Sequence, residues 1–162
     1  MDKQNQYSVE EVVNVGVVRL ANKLSLIFYK EALKPTGLSL QEWRTLVNLA
    51  RTGNCHLRKL ARVSGIDPAH TSRSLTLLEK KGLVKSSADS KDSRRKVLQL
   101  TQEGQHLVEK IWPQAKALSQ SLRDQIGSEK MDAFLETLDQ LLGFAQERLD
   151  HIPLSQSLKA AE

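Results

Sequence analysis

Two helix signals in close succession constrain the fold of this chain most strongly. After the segment from Leu57 to Ser64, which has helical apolar spacing, Gly65 permits a sharp reversal of the backbone. Asp67 followed by Pro68 then signals a new helix, because Asp is a favoured N-cap and Pro a favoured first helical residue. The sequence therefore predicts two short helices joined by a tight turn, the second running to about Lys81.

A short hairpin is predicted directly after these helices. Leu83 to Ser87 and Lys96 to Leu100 are typical of strands, and the second strand alternates apolar and polar residues. The intervening sequence ADSKDSRR is polar and forms turns readily. We expect an antiparallel pair with a charged tip.

Two longer helices are predicted before this region. Apolar residues recur with helical spacing from Val9 to Leu33, and Pro35 and Gly37 end that segment. Ser39 and Glu42 form a capping box at the start of the next helix. Leu38 and Trp43 lie at the positions of a hydrophobic staple, and Gly53 ends this helix.

The C-terminal part is predicted to be two further helices. Thr101 can cap the first, and Pro113, inside it, should bend it. Ser128 is predicted to cap the last helix. The whole chain, 162 residues long and 40% hydrophobic, is therefore expected to be a single domain, mainly α with a small β-hairpin wing. It comprises a winged helix-turn-helix lobe (39–101), N- and C-terminal dimerisation helices (8–34 and 102–151) and a flexible tail (152–162).

The positive charge is concentrated in the middle of the chain. From His56 to Lys96, eleven Lys or Arg residues face four Asp or Glu residues, a net charge of +7, whereas the other 121 residues carry a net charge of −2. A local basic excess attracts polyanions through phosphate contacts and counterion release. A merely solvated surface is the alternative explanation of such a charge run.

Other classes of protein are disfavoured. No segment is long and apolar enough to span a bilayer, and the N-terminus does not resemble a secretory signal, so a cytoplasmic location is expected. The four histidines lack metal-ligand spacing, and neither a glycine-rich phosphate loop nor a nucleophile elbow is present. We therefore predict no enzymatic activity, no cofactor and no metal.

The local sequence sharpens the assignment. HLRKLARVSGIDPAHTSRSLTLLEKKGLVK, followed by DSKDSRRKVLQLTQEG, resembles the MarR family of transcriptional regulators, most closely from Leu57 to Gly104. The resemblance implies double-stranded DNA as partner, and repression as the commoner mode. Candidate DNA contacts on the recognition helix are Ala69, His70, Ser72, Arg73 and Thr76; those on the wing are Lys91, Asp92, Arg94, Arg95 and Lys96.

Individual roles follow from chemistry and from the resemblance. Arg73 can pair with guanine in the major groove, and an arginine at the wing tip, here Arg94, can enter a minor groove. The resemblance implies that Asp92 orients Arg94 through an ion pair. Two alternatives stay open: Arg73 can instead pair with Glu79 or Asp67, and Leu77 can pack against the wing or the first helix.

The apolar stripes of the first, fifth and sixth helices predict a homodimer, because one small lobe does not cover them. Folding of these helices back onto their own core, which gives a monomer, is the alternative. The family resemblance also implies a small effector, an aromatic or phenolic acid, that releases the protein from a palindromic operator. The candidate pocket residues, which are also ordinary core positions, are Phe28, Tyr29, Trp43, Arg44, Val47, Ile111 and Trp112, with Arg44 as the carboxylate ligand.

Two further hypotheses remain open. Cys55, near Arg51 and Arg58, is either an oxidation sensor with a lowered thiol pKa or a quiet, partly buried thiol. A winged-helix module that binds another protein and not DNA is the alternative overall function.

Overall fold

The computed structural model describes residues 12–89, 92 and 95–152. The chain divides into two compact units, up to Lys116 and from Ala117 onward. The elements are six helices and two strands in the described part of the chain: α1 (Val13–Phe28), α2 (Leu40–Thr52), α3 (Leu57–Ser64), α4 (Pro68–Lys80), β1 (Val84–Ala88), β2 (Lys96–Leu100), α5 (Gln102–Ile126) and α6 (Ser128–Asp150). The mainly helical fold with one hairpin is confirmed.

The end of the first helical segment differs from the prediction of one regular helix. α1 stops at Phe28, a π-helical turn follows at Tyr29–Leu33, and a 3-10 turn at Lys34–Thr36 leads to Gly37. The backbone N–H of Lys34 donates to the carbonyl of Tyr29, which is five residues earlier. Pro35 has no N–H to continue an α-helical pattern, so the helix ends irregularly. Residues 8–11 of the predicted helix and 153–162 of the predicted tail lie outside the described residues.

The predicted capping box of α2 is confirmed. The Glu42 N–H donates to Ser39 Oγ at 3.2 Å, and the Ser39 N–H donates to Glu42 Oε2 at 2.8 Å. Leu38 and Trp43, the two staple residues, are both buried. These contacts set where α2 begins and bring its apolar face into the core of the first unit.

The tight turn between α3 and α4 follows the sequence signals. Gly65 adopts a φ of 62°, and the Asp67 carboxylate accepts hydrogen bonds from the backbone N–H groups of Ala69 at 2.8 Å and His70 at 3.2 Å. These backbone bonds lower the pKa of Asp67. Thr71, Leu75 and Leu78, at helical spacing on one face of α4, are buried, as is Ser74.

The hairpin is antiparallel, with Ser86 opposite Leu98. The first strand starts one residue later than predicted, because the Leu83 carbonyl accepts from the Thr101 N–H instead of joining the ladder. Cys55 adds an isolated bridge to Leu98 on the other side of β2, with N–H to carbonyl distances of 2.8 and 3.3 Å. The loop before α3 is therefore attached to the wing, a contact that no sequence pattern indicated.

The start of α5 packs tightly against the base of the wing. Thr101 Oγ1 accepts from the Gly104 N–H at 3.0 Å, which confirms its capping role, and donates to the Gly82 carbonyl at 2.7 Å. A Cβ on Gly104 would lie 2.0 Å from the Leu83 carbonyl oxygen. Only glycine permits this close approach of α5 to the Leu83 backbone.

The second unit contains the end of α5 and all of α6. α5 is continuous through Pro113. The prediction that Ser128 caps α6 is wrong: Gly127, with φ 89°, is the N-cap, and Ser128 is the first helical residue, whose carbonyl accepts from Arg123 Nη1. Arg123 also pairs with Asp132 at 2.6 Å. Among the described residues, no helix combines the length and hydrophobicity needed to cross a bilayer.

Candidate nucleic-acid interface

One face of α4 is exposed and polar. Thr71, Leu75 and Leu78 are buried on the opposite face. All five recognition-helix residues predicted to contact DNA are exposed: Ala69, His70, Ser72, Arg73 and Thr76. The burial pattern thus leaves this face available to a partner.

Arg73 has no ion pair with any residue in the part of the chain that the structure describes. Asp67 instead caps α4 and lies 3.5 Å from His70 Nδ1. In the structure, Arg73 therefore pairs with neither Glu79 nor Asp67. Leu77 is 47% exposed, so about half of its surface stays open to a partner, and its packing against the wing or the first helix stays a prediction.

At the wing tip, Asp92 and Arg95 are exposed, whereas Asp89 is half-buried. The Asp92 carboxylate lies 3.5 Å from Arg95 Nε, and the Asp92 N–H donates to Asp89 Oδ1 at 3.3 Å. Arg95 and Lys96 are exposed at the start of β2. Lys91 and Arg94 lie outside the described residues, and the predicted pairing of Asp92 with Arg94 stays a prediction.

An open groove of about 770 Å³ separates α4 from the wing. The groove is lined by one acidic residue, Glu79, and by basic side chains from α3 and from the start of β2. A groove with this excess of positive charge attracts a polyanion. The basic and hydroxyl side chains of the lining are Arg58, Lys59, Arg95, Lys96, Ser72, Thr76 and Ser86.

Arg58 and Lys59 are not among the DNA contacts predicted from the sequence. Their sequence signal is only a pair of basic residues at the start of a short helix. They reach the groove because the bridge between Cys55 and Leu98 places the start of α3 beside the wing. That pairing joins segments more than forty positions apart in the chain.

The C-terminal end of α4 is tied to the start of α2. Lys81 Nζ lies 2.5 Å from Glu42 Oε1 and donates to the Gly37 carbonyl at 2.9 Å. Burial acts to raise the pKa of Glu42, but the bonds from Lys81 and Ser39 outweigh it and lower the pKa. This junction holds the recognition helix against the turn that follows α1.

The predicted effector residues, all of which the structure describes, differ in burial and in their neighbours. Phe28 and Trp43 pack against each other, with ring centroids 5.6 Å apart, and Ile111 is also buried. Arg44 is exposed, and its Nη2 donates to Ser25 Oγ at 2.8 Å.

The remaining members of that set differ in exposure. Tyr29 and Val47 are half-buried, and Trp112 is exposed. A cavity of about 440 Å³ beside the α2 capping box includes only Tyr29 of the predicted effector residues. The predicted effector pocket therefore stays a prediction.

Cys55 is buried, with 4% of its surface exposed. Burial raises the pKa of its thiol, and the nearby Lys59 only partly opposes that effect. The neighbouring cations therefore do not produce a lowered pKa, and the structure favours the quiet, buried thiol.

These observations define a winged helix-turn-helix, with α4 as recognition helix and the hairpin as wing, which is an architecture of transcriptional regulators. The model of the MarR family matches residues 38–96. The chain is 30% identical over 129 residues to the HTH-type transcriptional regulator FarR of Neisseria gonorrhoeae, covering 80% of this chain and 88% of that protein. The chain belongs to the MarR family of transcriptional regulators.

Two further relatives are similar over most of their length. The homoprotocatechuate degradative operon repressor of Escherichia coli is 26% identical over 133 residues, 82% of this chain and 90% of that protein. The crystal structure of NadR in complex with 4-hydroxyphenylacetate superposes with a TM-score of 0.72 at 30% identity, covering 87% of this chain and 97% of NadR.

Proposed function

We propose that this regulator binds double-stranded DNA as a homodimer and represses transcription until an aromatic acid releases it. The observation that carries the DNA-binding part is the convergence of an exposed polar face of α4 and four basic side chains on one groove. A recognition helix of this size fits the major groove, and its outward residues near the N-terminus reach base edges.

The contacts divide into two kinds. Arg73, exposed and without an internal ion pair among the described residues, reads bases. Arg58, Lys59, Arg95 and Lys96, which surround the groove, bind phosphates and set the position of the helix. Phosphate contacts raise affinity for any duplex, whereas base contacts make one sequence preferred.

The dimer is supported by apolar side chains that the single chain leaves uncovered. Burial of apolar area stabilises by about 25 cal/mol per Å², so packing of a second copy against these side chains would stabilise both chains. Two recognition helices then read half-sites about 10 base pairs apart. On α6, six of these side chains are between 44% and 62% exposed: Phe134, Leu135, Leu141, Leu142, Phe144 and Leu149. α1 independently exposes Val13, Val17, Val18 and Leu20.

The dimer is tested by light scattering after size-exclusion chromatography. At micromolar concentration we expect a molar mass of twice the 18.2 kDa of one chain. Leu142→Asp should lower the measured mass, because a charge would be buried in the interface. Lys130→Ala, an exposed polar position on α6, is the control. A monomeric wild-type protein would overturn the dimer.

DNA binding is tested by footprinting the region upstream of the protein's own gene, followed by fluorescence anisotropy over a range of salt concentrations. Lys96→Ala should weaken binding to all duplexes and reduce the salt slope by about one ion. Arg73→Ala should reduce the preference for the footprinted site over a scrambled one by about tenfold or more. Lys110→Ala, exposed on α5, is the charge-matched control.

If the protein were instead a winged-helix module that binds only other proteins, it would bind no duplex even at low ionic strength. Unchanged binding by both Lys96→Ala and Arg73→Ala would contradict the interface itself.

The effector class rests on two relatives. One is named a repressor of the homoprotocatechuate degradative operon, and NadR was crystallised with 4-hydroxyphenylacetate. An effector releases DNA only by binding better to a dimer whose recognition helices are wrongly spaced. 4-Hydroxyphenylacetate and DNA should therefore weaken each other's binding by the same factor, which calorimetry measures. Arg44→Gln should abolish this coupling; independent binding of the two ligands in the wild-type protein would refute it.

A further inference from the structure

His56 joins the start of α3 to both strands of the wing. It is the N-cap residue of α3, but its side chain does not cap the helix. Its Nδ1 lies 2.9 Å from the carbonyl oxygen of Lys96, at the start of β2. Its Nε2 lies 3.2 Å from Asp89 Oδ2, just after β1. The imidazole therefore bridges the two sides of the hairpin at the edge of the basic groove.

Both partners of this ring are hydrogen-bond acceptors. A backbone carbonyl only accepts, and an ionised carboxylate only accepts. A neutral imidazole has one N–H and one unprotonated nitrogen, so it satisfies one of these contacts and turns a lone pair toward the other acceptor. Only the doubly protonated imidazolium donates to both.

The charges around the ring act in both directions. Asp89 favours the imidazolium, as does Glu79 of α4 from across the groove. The cations that line the same groove oppose it: Arg58 and Lys59 of α3, and Arg95 and Lys96 at the start of β2. DNA phosphates bound to these cations would neutralise their effect and add negative charge near the ring.

We propose that His56 is a positioning residue that orients the wing for DNA as the imidazolium, so that DNA binding takes up a proton at this ring. The inference rests on the proposed DNA-binding function. Loss of the proton removes one of the two bonds to the wing base, while the bridge between Cys55 and Leu98 keeps β2 attached. Affinity for DNA is therefore expected to fall as pH rises, because the neutral ring makes one bond fewer to the wing.

The test is the pH dependence of DNA affinity. The background carries His70→Gln, because His70 is a second imidazole and lies on the recognition helix. Two proteins are compared between about pH 6 and about pH 8: His70→Gln alone, and His70→Gln with His56→Gln added. We expect the DNA affinity of the first to fall about three- to tenfold more than that of the second, which corresponds to the loss of one hydrogen bond. The glutamine amide of that variant donates toward Asp89 but does not titrate. Asp89→Asn should also reduce this pH dependence.

Proton uptake is measured directly by calorimetry of DNA binding in buffers of different ionisation enthalpy. Near neutral pH, the parent that retains His56 should take up more protons on binding DNA than the His56→Gln variant does. Equal uptake and equal pH dependence in the two proteins, with duplex binding intact, would overturn the role of His56. An absence of duplex binding at every pH would instead overturn the proposed function.

A second measurement does not require DNA. In the free protein at about pH 6, nitrogen-15 spectra of the imidazole should show both ring nitrogens of His56 protonated, and Asp89→Asn should diminish that population. A ring that stays a single neutral tautomer down to this pH would contradict the bridging arrangement, whatever the protein does with DNA.

Discussion

Gly104→Ala is the substitution whose outcome the structure decides most sharply. The new Cβ would lie 2.0 Å from the Leu83 carbonyl oxygen and 3.0 Å from its carbonyl carbon. An ordinary carbon–oxygen contact is about 3.3 Å, so the helix and the strand must separate by about 1 Å. Both neighbouring atoms are backbone, which does not swing aside as the end of a flexible side chain does.

Two effects of opposite sign compete in this variant. Replacing Gly by Ala inside a helix stabilises by up to about 1 kcal/mol. Forcing extra volume into a packed contact destabilises by about 1–3 kcal/mol or more, and displacement of Leu83 also strains its hydrogen bond from the Thr101 N–H, which is 3.1 Å long. The steric effect dominates, and we expect a net loss of about 1–2 kcal/mol.

Urea denaturation followed by circular dichroism measures this loss. Gly143→Ala is the matched control, because it lies in α6 with nothing within 4 Å of the added Cβ and should leave stability unchanged or raise it slightly. DNA binding by Gly104→Ala should weaken as well, since the wing base moves. A Gly104→Ala protein as stable as the wild type, with Gly143→Ala behaving normally, would refute the reasoning.

Three further predictions concern buried or capping groups. Glu42→Gln should destabilise the protein by about 1–3 kcal/mol, because it leaves the Lys81 ammonium without its carboxylate. Since the pKa of Glu42 is lowered in the folded protein, its stabilisation is present above about pH 5 and is lost as pH falls through the folded value; melting temperatures of both proteins should therefore converge in acid. Cys55 should react with iodoacetamide far more slowly in the folded protein than in urea at neutral pH, since burial raises its thiol pKa; equal rates would contradict this. Asp67→Ala should lower the melting temperature by removing the α4 cap, whereas Asp67→Asn, which keeps an acceptor oxygen, should lower it less; an unchanged Asp67→Ala protein would show that the cap contributes nothing.

Local signals predicted much of the fold. The Ser39–Glu42 capping box and the Asp67–Pro68 start are confirmed because a cap involves groups only two or three residues apart. The outward face of α4 was also predicted, since helical periodicity alone separates it from the buried face. The irregular end of α1 was missed, although Pro35 marked its position.

Contacts between distant segments were not predictable in this way. Arg58 and Lys59 join the groove only through the attachment of Cys55 to β2. The outward position of Arg73 follows from periodicity, but only the packed structure shows that no internal acid among the described residues holds it.

The amino-acid sequence by itself determined where the helices around the turn begin, which side of the recognition helix is buried, and that the basic residues cluster in the middle of the chain. These properties depend on neighbours along the chain. The tertiary structure alone decided that His56 meets Asp89 and the Lys96 carbonyl, that Lys81 meets Glu42, and that α5 approaches the Leu83 backbone closely enough to require glycine. Those contacts join residues that are far apart in the chain, and their distances follow from how the core packs.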